Sequence, residues 1–471
     1  MSAAHTHVVV IGGGISGLAA AHRLVEGGAR VTLVEASDRL GGKLKAGSVA
    51  GVPVDLGAES MLARRPEAVA LARAVGLGER LQPPAVGGAT VWSRGAQRPM
   101  PTGHMMGVPG DLSALAASGV VSPEGLARIA RDADLPPTEI GDDIAIGAYV
   151  GERLGREVVD RLVEPLLGGV YAGDAYRISL RTAMPQLFEA ARTHPSLIAA
   201  VRALQARSAA RQPAGPVFMG IDGGIGQLPL AVADRLRAAG AEILTRTRAD
   251  EVRRTGAAWE VRLPDRTLTA DALVVAAPAP EARRLLATVA PGAATELATV
   301  EYASMALITM AFRRSDAGGL PRSSGFLVPP VEGRKIKAST FASHKWGWIA
   351  DAGPETFVLR TSIGRFGDEE DLEREDTDLV AASLKDLGDA VGLAATPVES
   401  RVDRWYAGLP QYPVGHLGRV ARIRAHVAAL PGLRVCGAAY DGVGIPACVA
   451  GAHTAADEIL ATLTPGAGPG E

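Results

Sequence analysis

The stretch HVVVIGGGISGLAAAHRLVEGGARVTLVE, residues 7–35, decides the fold. Its first five residues form a short, continuous, β-branched run, which is typical of a buried parallel strand. A glycine turn over 12–17, an alanine-rich helix over 18–25 and a second strand over 31–35 follow. The stretch therefore predicts one complete βαβ unit within about 30 residues.

Three glycines of this unit carry a motif for binding phosphates. Gly12, Gly14 and Gly17 form the pattern G-x-G-x-x-G between strand and helix: the first permits the tight turn, the second lets the backbone approach a diphosphate, and the third lets helix and strand pack closely. The N-terminus of the helix offers N–H groups and the positive end of its dipole. Glu35 ends the second strand, where its carboxylate can accept hydrogen bonds from ribose hydroxyls. We therefore expect a bound dinucleotide here.

The overall composition argues against several classes of protein. With 471 residues, 21% charged and 47% apolar, the chain is expected to form two or three globular domains. A net charge of −2 gives no sign of nucleic-acid binding. Cys436 and Cys448 lack zinc-ligand spacing and make no disulfide framework, so we expect no metal site. The sequence has no run of about 18 uncharged apolar residues and no leader before His7, which predicts a cytoplasmic protein without a transmembrane segment and leaves peripheral membrane contact open.

Rossmann-like pieces stand at the start, in the middle and at the end of the chain. Residues 221–228 are a glycine-rich turn before a helix and a strand, and residues 433–463 give a strand, a glycine turn and a helix. Residues 300–313 and 355–363 alternate like antiparallel strands, and residues 66–82 are amphipathic like a helix. We predict an α/β fold with three parts: a Rossmann-like nucleotide-binding domain assembled from 1–55, 217–285 and 430–464; an inserted α+β substrate-binding domain with an antiparallel sheet over 56–108 and 286–429; and a helical subdomain over 109–212.

The residues after Glu35 bear on which nucleotide is bound. Arg39 and Lys43 flank Gly41-Gly42, which resembles the second signature of the flavin amine oxidase superfamily, whose members bind FAD. The resemblance implies that the cofactor is FAD, with Gly42 on its flavin side and Lys43 near the phosphates. Solvated charges on a loop are the alternative for the basic pair.

A second glycine turn lies near the C-terminus. Residues 435–448 run from a strand through this turn into a helix, whose N-terminus could stabilise negative charge on the reduced flavin or face its ribityl chain. A simple strand, turn and helix that closes the sheet is the alternative.

The chain also resembles the porphyrinogen oxidase branch of this superfamily, especially the soluble Gram-positive enzymes that act on coproporphyrinogen III. The likeness runs along nearly the whole chain. Its most specific pieces are DLGAES (55–60) with Arg64-Arg65, PMPTG (99–103), EPLLGGVYAGD (164–174), HKW (344–346), LPQY (409–412) with Gly415-His416, and the C-terminal turn.

Carried over residue by residue, these resemblances imply two sets of site residues. The substrate set comprises Arg64, Arg65, Tyr171 and Lys345, with Arg65 at the mouth of the cavity. The alternatives are a helix start for the two arginines, a core tyrosine for Tyr171 and a surface pair with Trp346 for Lys345. The FAD-binding set comprises Gly12, Gly13, Gly14, Ile15, Ser16, Gly17, Glu35, Ala36, Arg39, Gly42, Lys43, Gly57, Ala58, Glu59, Ser60, Val252, Trp405, Val443, Gly444 and Ile445.

The resemblance implies the reaction as well. It is the oxygen-consuming, six-electron oxidation of coproporphyrinogen III to coproporphyrin III in heme biosynthesis, with hydride transfer to flavin N5 and release of hydrogen peroxide. We name no side-chain acid or base, because His344 and His416 are candidates only by residue type. Four propionates around a neutral core suit a wide apolar slot with a few cations at its rim. Contact with a downstream ferrochelatase is left open.

Three alternatives remain at this point. The first is a protoporphyrinogen IX oxidase, but the resemblance places Ala89 where the mitochondrial and plant enzymes carry a substrate-binding arginine. The second is a flavin amine oxidase, which would need a lysine in the antiparallel sheet, and residues 300–313 contain none. The third is a non-catalytic, FAD-holding porphyrin carrier.

Overall fold

The computed structural model describes residues 6–211 and 215–463. Its first layer is a five-stranded sheet in which all neighbouring strands run parallel. The strands come from three separated stretches of the chain, as the sequence predicted. In spatial order they are Glu242–Leu244, Arg30–Val34, His7–Ile11, Ala272–Val275 and Leu433–Val435.

Helices cover both faces of this sheet. Because side chains alternate across a strand, Val8 and Val10 pack into one core and Val9 and Ile11 into another. Both cores consist of buried apolar side chains, which explains why the central strand is apolar on both faces. The helices on the first face are Ile15–Glu26, Gln227–Ala238 and Ile445–Leu463, and those on the second are Ala279–Leu286, Pro291–Leu297 and His416–Ala428.

A seven-stranded sheet forms the second layer. It is antiparallel except where Gly325–Leu327 pairs with Thr90–Ser93. Helix Asp376–Val391 packs against it and buries Leu379 and Leu387 in its core. In spatial order the strands are Glu399–Pro410, Tyr302–Arg313, Thr356–Ile363, Ile336–Thr340, Gly325–Leu327, Thr90–Ser93 and Ala96–Pro99.

The segment after Pro109 is helical. Arg153 and Asp132 form an ion pair in its interior, and the Arg153 guanidinium also donates to the carbonyl oxygens of Pro136 and Pro195. The guanidinium thus connects Asp132 to two turns between helices. Removal of either partner of the ion pair would leave an unpaired buried charge and destabilise this segment. The helices are Leu112–Ser118, Pro123–Ala130, Ile146–Leu154, Arg156–Val158, the π-turn Val159–Val163, Glu164–Tyr171, Leu180–Ala183, Pro185–Thr193 and Leu197–Arg211.

The predicted helix over 66–82 is too long. The helix is Pro66–Ala74, and the chain then turns at Gly76, whose φ of +87° lies in the left-handed region. The Leu77 amide donates back to Ala72 and closes the helix. Residues 81–82 instead pair as a strand with Gly220 and Ile221.

Several short hairpins complete the fold, and the sequence analysis missed some of them. Ala258–Arg262 pairs with Thr267–Ala270 in one hairpin. Ala46–Val49 pairs with Val52–Asp55 in another, which the sequence does not indicate because the two strands are short and lack alternation. The remaining short strands are Met61–Leu62, Leu81–Gln82, His104–Met105, Val108–Pro109, Phe218–Ile221 and Glu251–Thr255.

The fold class is therefore the predicted one: a three-segment Rossmann-like part, an α+β part with an antiparallel sheet, and a helical part. Residues 1–5, 212 and 464 of the predicted domain segments lie outside the described residues. Within 6–211 and 215–463, no helix is long and apolar enough to cross a membrane.

Candidate active site

The glycines of the first loop differ in how closely other atoms surround them. Gly12 and Gly17 are crowded by neighbouring backbone, whereas Gly14 faces open space. A Cβ on Gly12 would lie 2.7 Å from the Ala276 carbonyl oxygen, and one on Gly17 would lie 1.8 Å from the Gly12 oxygen. A Cβ on Gly14 would meet no atom within 4 Å. The fold itself therefore requires Gly12 and Gly17, whereas no neighbouring atom requires a glycine at position 14.

Gly14 also caps helix Ile15–Glu26 without a side-chain hydrogen bond. The N–H groups of the first helical turn have no partner within the helix. Together with the positive end of the helix dipole, they form an anion site beside Gly14. Ile15, Ser16 and Gly17 form the first turn of this helix, next to the position at which the sequence predicts the cofactor phosphates.

Glu35 lies at the other side of this loop. Its carboxylate accepts hydrogen bonds from the amides of Gly13 and Ser37, each at 2.7 Å. A carboxylate has about four acceptor positions, so two remain for ribose hydroxyls. Ala36 follows directly in the chain.

The basic pair of the second signature lies next to the glycine loop. Arg39 donates to the Gly42 carbonyl oxygen at 2.7 Å, and the amide of Gly41 donates to Gly13. Burial lowers the pKa of the Lys43 ammonium, and among the described residues it has no ion-pair partner. A partly buried cation without a counterion beside a helix N-terminus suits an anionic group such as a diphosphate.

The DLGAES segment contacts the glycine turn over residues 221–228 at one end and the Lys43 backbone at the other. The Asp55 carboxylate accepts the amides of Ile225 and Gly226 at 2.9 Å each. Burial raises the pKa of Asp55 to about 6, although these two hydrogen bonds oppose the shift. At Gly57 the chain passes so close to Lys43 that a Cβ would lie 2.0 Å from the Lys43 oxygen. Ala58 donates to the same oxygen.

Glu59, an expected cofactor residue, binds Lys345, an expected substrate residue. The Lys345 ammonium and the Arg360 guanidinium both pair with the Glu59 carboxylate. Burial alone would raise the pKa of Glu59, but the charges of Arg360 and Lys345 hold it below its ordinary value. Ser60 follows at the partly exposed end of the segment. Sequence reasoning had placed the two residues in different sets and had not named Arg360.

The C-terminal turn meets the first glycine loop. Val443 and Gly444 are partly or fully exposed and precede the N-terminus of helix Ile445–Leu463. The Ser16 hydroxyl lies against Cys448 in the first turn of that helix. Two helix N-termini therefore face one region, with Lys43 beside them.

The two remaining cofactor candidates lie apart from each other. Trp405 donates to the Leu56 carbonyl oxygen at 3.1 Å, and the Arg39 guanidinium lies 5.8 Å from its ring centroid. Val252 is buried in the core that also contains Val34, on the side of Glu35. Trp405 thus borders the loop region, and Val252 lies on the side of the sheet core that contains Val34.

The substrate candidates do not form one cluster. Arg64 and Arg65 are exposed, and Arg65 donates to Glu67 at 2.8 Å. Tyr171 ends helix Glu164–Tyr171 and packs edge-on against Tyr412 at 5.7 Å between ring centroids. Burial raises the pKa of the Tyr171 hydroxyl, so it stays protonated at neutral pH.

Comparison with known proteins identifies the family. The sequence profile described as flavin containing amine oxidoreductase matches residues 15–460. The chain belongs to this family. It is a flavoprotein oxidoreductase of the amine oxidoreductase type, and the open loop at Gly14 fits the nucleotide part of a flavin cofactor.

Relatives within the family differ in sequence identity and structural similarity to this chain. The chain is 38% identical to coproporphyrinogen III oxidase of Mycobacterium tuberculosis over 463 residues, which cover 96% of this chain and 97% of the relative. A proposed protoporphyrinogen oxidase from Exiguobacterium sp. 255-15 superposes with a TM-score of 0.84 at 31% identity, covering 97% of this chain and 99% of that one. Cyclohexylamine oxidase from Brevibacterium oxydans has a TM-score of 0.69 at 19% identity, covering 97% and 99%, and shares the fold.

Sequence reasoning overlooked a buried cation in this family member. Residues 300–313 contain no lysine, but Lys337 lies in the same sheet on strand Ile336–Thr340 and is only 5% exposed. A lysine within a short run flanked by apolar and small residues was the available signal. Arg365 lies near Lys337 and Glu164 lies near Arg365, and neither was given a role.

Proposed function

We propose that this chain catalyses the FAD-dependent oxidation of coproporphyrinogen III to coproporphyrin III. The substrate loses six electrons and six protons, and three molecules of O₂ are reduced to three of hydrogen peroxide. The observation that carries the proposal is the 38% identity, over nearly the whole of both chains, to an enzyme named for this substrate. The step belongs to heme biosynthesis.

The chain's own residues would hold the cofactor. Gly14 and the amides of the first turn of helix Ile15–Glu26 receive the diphosphate, Glu35 the ribose, and Lys43 supplies the counter-charge. When bound, the flavin supplies the two-electron acceptor, so the reaction needs no catalytic metal. The turn at Val443 and Gly444 directs a second helix N-terminus toward the flavin end, where it would favour negative charge.

The substrate would enter from the side of Arg64 and Arg65. The exposed guanidiniums can pair with propionates that remain partly in water, which favours orientation more than tight binding. Tyr171 supplies an apolar edge with a neutral hydroxyl. No side-chain acid or base is assigned. Peripheral membrane contact, a cytoplasmic location and contact with a ferrochelatase stay predictions.

Product stoichiometry in air tests the proposal. Holoprotein with coproporphyrinogen III should consume three O₂ and form three hydrogen peroxide per coproporphyrin III, faster than the substrate oxidises without protein. Porphyrin formation at the uncatalysed rate would contradict it. If the holoprotein binds a porphyrin but does not accelerate oxygen consumption, the alternative of a non-catalytic porphyrin carrier is favoured.

A further inference from the structure

Lys337 is a buried cation without an anion. Its ammonium donates to the Gly364 carbonyl oxygen at 2.7 Å and lies 3.8 Å from the Met305 sulfur. No described carboxylate lies within ion-pair distance of it. Burial and the nearby charge of Arg365 lower the pKa of Lys337 to about 7. Such a side chain costs stability unless a ligand supplies the missing negative charge.

A β-bulge directs this side chain. Ile336 pairs with Ile363 and Ala338 with Ser362, so that Lys337 is the extra residue between them. Bulges re-aim side chains and are frequent beside active sites. A second bulge lies between Ala303 and Met305 on strand Tyr302–Arg313, which is two strands away in the sheet, and Met305 at its end contacts the Lys337 ammonium.

Arg365 is the second cation of this cluster. Its guanidinium donates to the Val328 carbonyl oxygen at 2.9 Å, and burial lowers its pKa although Glu164 and Asp368 oppose the shift. Within the described residues it forms no ion pair. Burial raises the pKa of Glu164 to about 7, which leaves that carboxyl a weak counterion.

The cluster lies between the flavin candidates and the substrate candidates. Met305, which contacts the Lys337 ammonium, is the cross-strand partner of Trp405, so their side chains share a face of the sheet. On the other side, Phe366 donates to the Ala172 carbonyl oxygen at the end of the helix that carries Tyr171.

The helix over the cluster leaves room for a ligand. In helix Glu164–Tyr171, Gly168 is buried, yet an added Cβ would meet no atom within 4 Å. Gly169 is exposed, and its added Cβ would meet only the tip of Leu327, at 3.9 Å. This helix packs against strand Ile336–Thr340, which carries Lys337, so the unfilled position at the buried Gly168 belongs to the element that covers this strand.

We propose that Lys337 and Arg365 bind a propionate at the inner end of the porphyrinogen, one that coproporphyrinogen III carries and protoporphyrinogen IX replaces by vinyl. This inference rests on the proposed function and names the residues that set its specificity. A ligand with four propionates puts carboxylates at both ends of the slot. Arg64 and Arg65 serve the exposed end, and Lys337 and Arg365 serve the dry end.

The exposure of the two cation pairs supports this division. The Arg65 side chain is 45% exposed, whereas Lys337 is 5% exposed. Hydrogen bonds between charged partners are strong in a dry environment, and a vinyl group would leave both cations unpaired there. The inner pair therefore discriminates against the substrate with two propionates.

The test compares Lys337→Met and Arg365→Met with Lys335→Met as the control. Lys335 is exposed and pairs with Asp371 at the surface, so the same change of charge should leave activity unaltered. Each holoprotein is assayed for flavin content, melting temperature, and kcat and KM with coproporphyrinogen III and with protoporphyrinogen IX. Coproporphyrin III binding, measured by fluorescence quenching, gives an equilibrium readout that needs no turnover.

In Lys337→Met we expect the KM for coproporphyrinogen III to rise about tenfold or more. The KM for protoporphyrinogen IX should change less than about twofold, and coproporphyrin III should bind more weakly by the same factor as the KM change. Flavin content should be unchanged, and the ligand-free variant should melt no lower than the unmutated protein, because an unpaired buried charge is gone.

Other results would overturn the inference. An unchanged KM for coproporphyrinogen III, or equal increases for both substrates, would contradict it. If Lys337→Met does not fold or folds poorly, the ratio of the KM values for the two porphyrinogens in Arg365→Met decides instead. An unmutated protein that oxidises neither porphyrinogen would instead refute the proposed function, and the binding readout would still test the cation pair.

Discussion

Gly17 packs directly against Gly12 across the first turn of the chain. A Cβ added to Gly17 would lie 1.8 Å from the Gly12 carbonyl oxygen, closer than any real contact. Gly14, between them, has no atom within 4 Å of the same position and an ordinary φ of −70°. One motif therefore contains two glycines that the fold requires and one that it does not require, and we assign this one to the ligand.

This contrast predicts different effects for two alanine substitutions. Gly14→Ala should fold with an unchanged melting temperature in the flavin-free state but bind FAD at least about tenfold more weakly, because its methyl group fills the diphosphate space. Gly17→Ala should fail to fold. Flavin absorbance after purification and calorimetry of the flavin-free protein measure both effects. Gly87→Ala, which also meets no atom, is the control. Full flavin content in Gly14→Ala would contradict the cofactor position.

Arg65 is predicted to orient the substrate rather than to take part in the electron transfer. Arg65→Ala should raise the KM for coproporphyrinogen about three- to tenfold, because a partly exposed charged contact is weak. The rate of flavin reduction at saturation should change less. Stopped-flow absorbance measures both, with Arg73→Ala on the same exposed helix as control. An unchanged KM would remove Arg65 from the site.

Lys345 is predicted to stabilise Glu59 more than it binds substrate. Its ammonium and the Arg360 guanidinium both pair with the Glu59 carboxylate. In Lys345→Met, Glu59 would keep only Arg360 as a counter-charge. We expect the free energy of unfolding to fall by about 1–3 kcal/mol. The KM should change less than in Arg65→Ala. Urea unfolding measures the change in the free energy of unfolding, and steady-state kinetics measure the change in KM. Unaltered stability with a KM raised as much as in Arg65→Ala would place the ammonium on the substrate.

His416 is predicted to make the protein sensitive to acid. It is 1% exposed and packs on the Tyr412 ring, and burial together with the charge of Arg419 lowers its pKa to about 4. Between pH 6.5 and 4 the unfolded chain binds a proton that the folded chain does not, so stability falls as pH falls through this window. The loss approaches about 3 kcal/mol.

Comparison of unfolding curves isolates this contribution. His416→Gln should show a shallower loss of stability between pH 6.5 and 4 than the unmutated protein, because the carboxylates that also titrate there are common to both. His194→Gln, at a partly exposed helix end, should keep the original slope. Parallel pH profiles for His416→Gln and the unmutated protein would contradict the assignment.

The sequence allowed prediction of the parts that depend on neighbouring residues. The first βαβ unit followed from hydrophobic runs and glycine spacing within residues 7–35, because those elements pair locally. The helix over 66–82 was predicted too long because Gly76 ends it, and a lone glycine inside an apolar pattern is a weak signal.

Long-range pairings could not be predicted in this way. Glu59 and Lys345 lie 286 positions apart and are brought together by the packing of the DLGAES segment against the second sheet. Lys337 was missed because its direction depends on a β-bulge, and register shifts of this kind leave no mark in alternation. Motifs placed these residues near a site, but only the fold shows which charges are paired.

Anaerobic mixing of the holoprotein with coproporphyrinogen III tests the central claim most directly. Protoporphyrinogen IX and a polyamine are mixed in parallel, and the main flavin absorbance band is followed in time. The account predicts rapid bleaching by coproporphyrinogen III, slower bleaching by protoporphyrinogen IX and none by the polyamine. Bleaching by the polyamine alone, or a flavin band that no porphyrinogen changes, would contradict it.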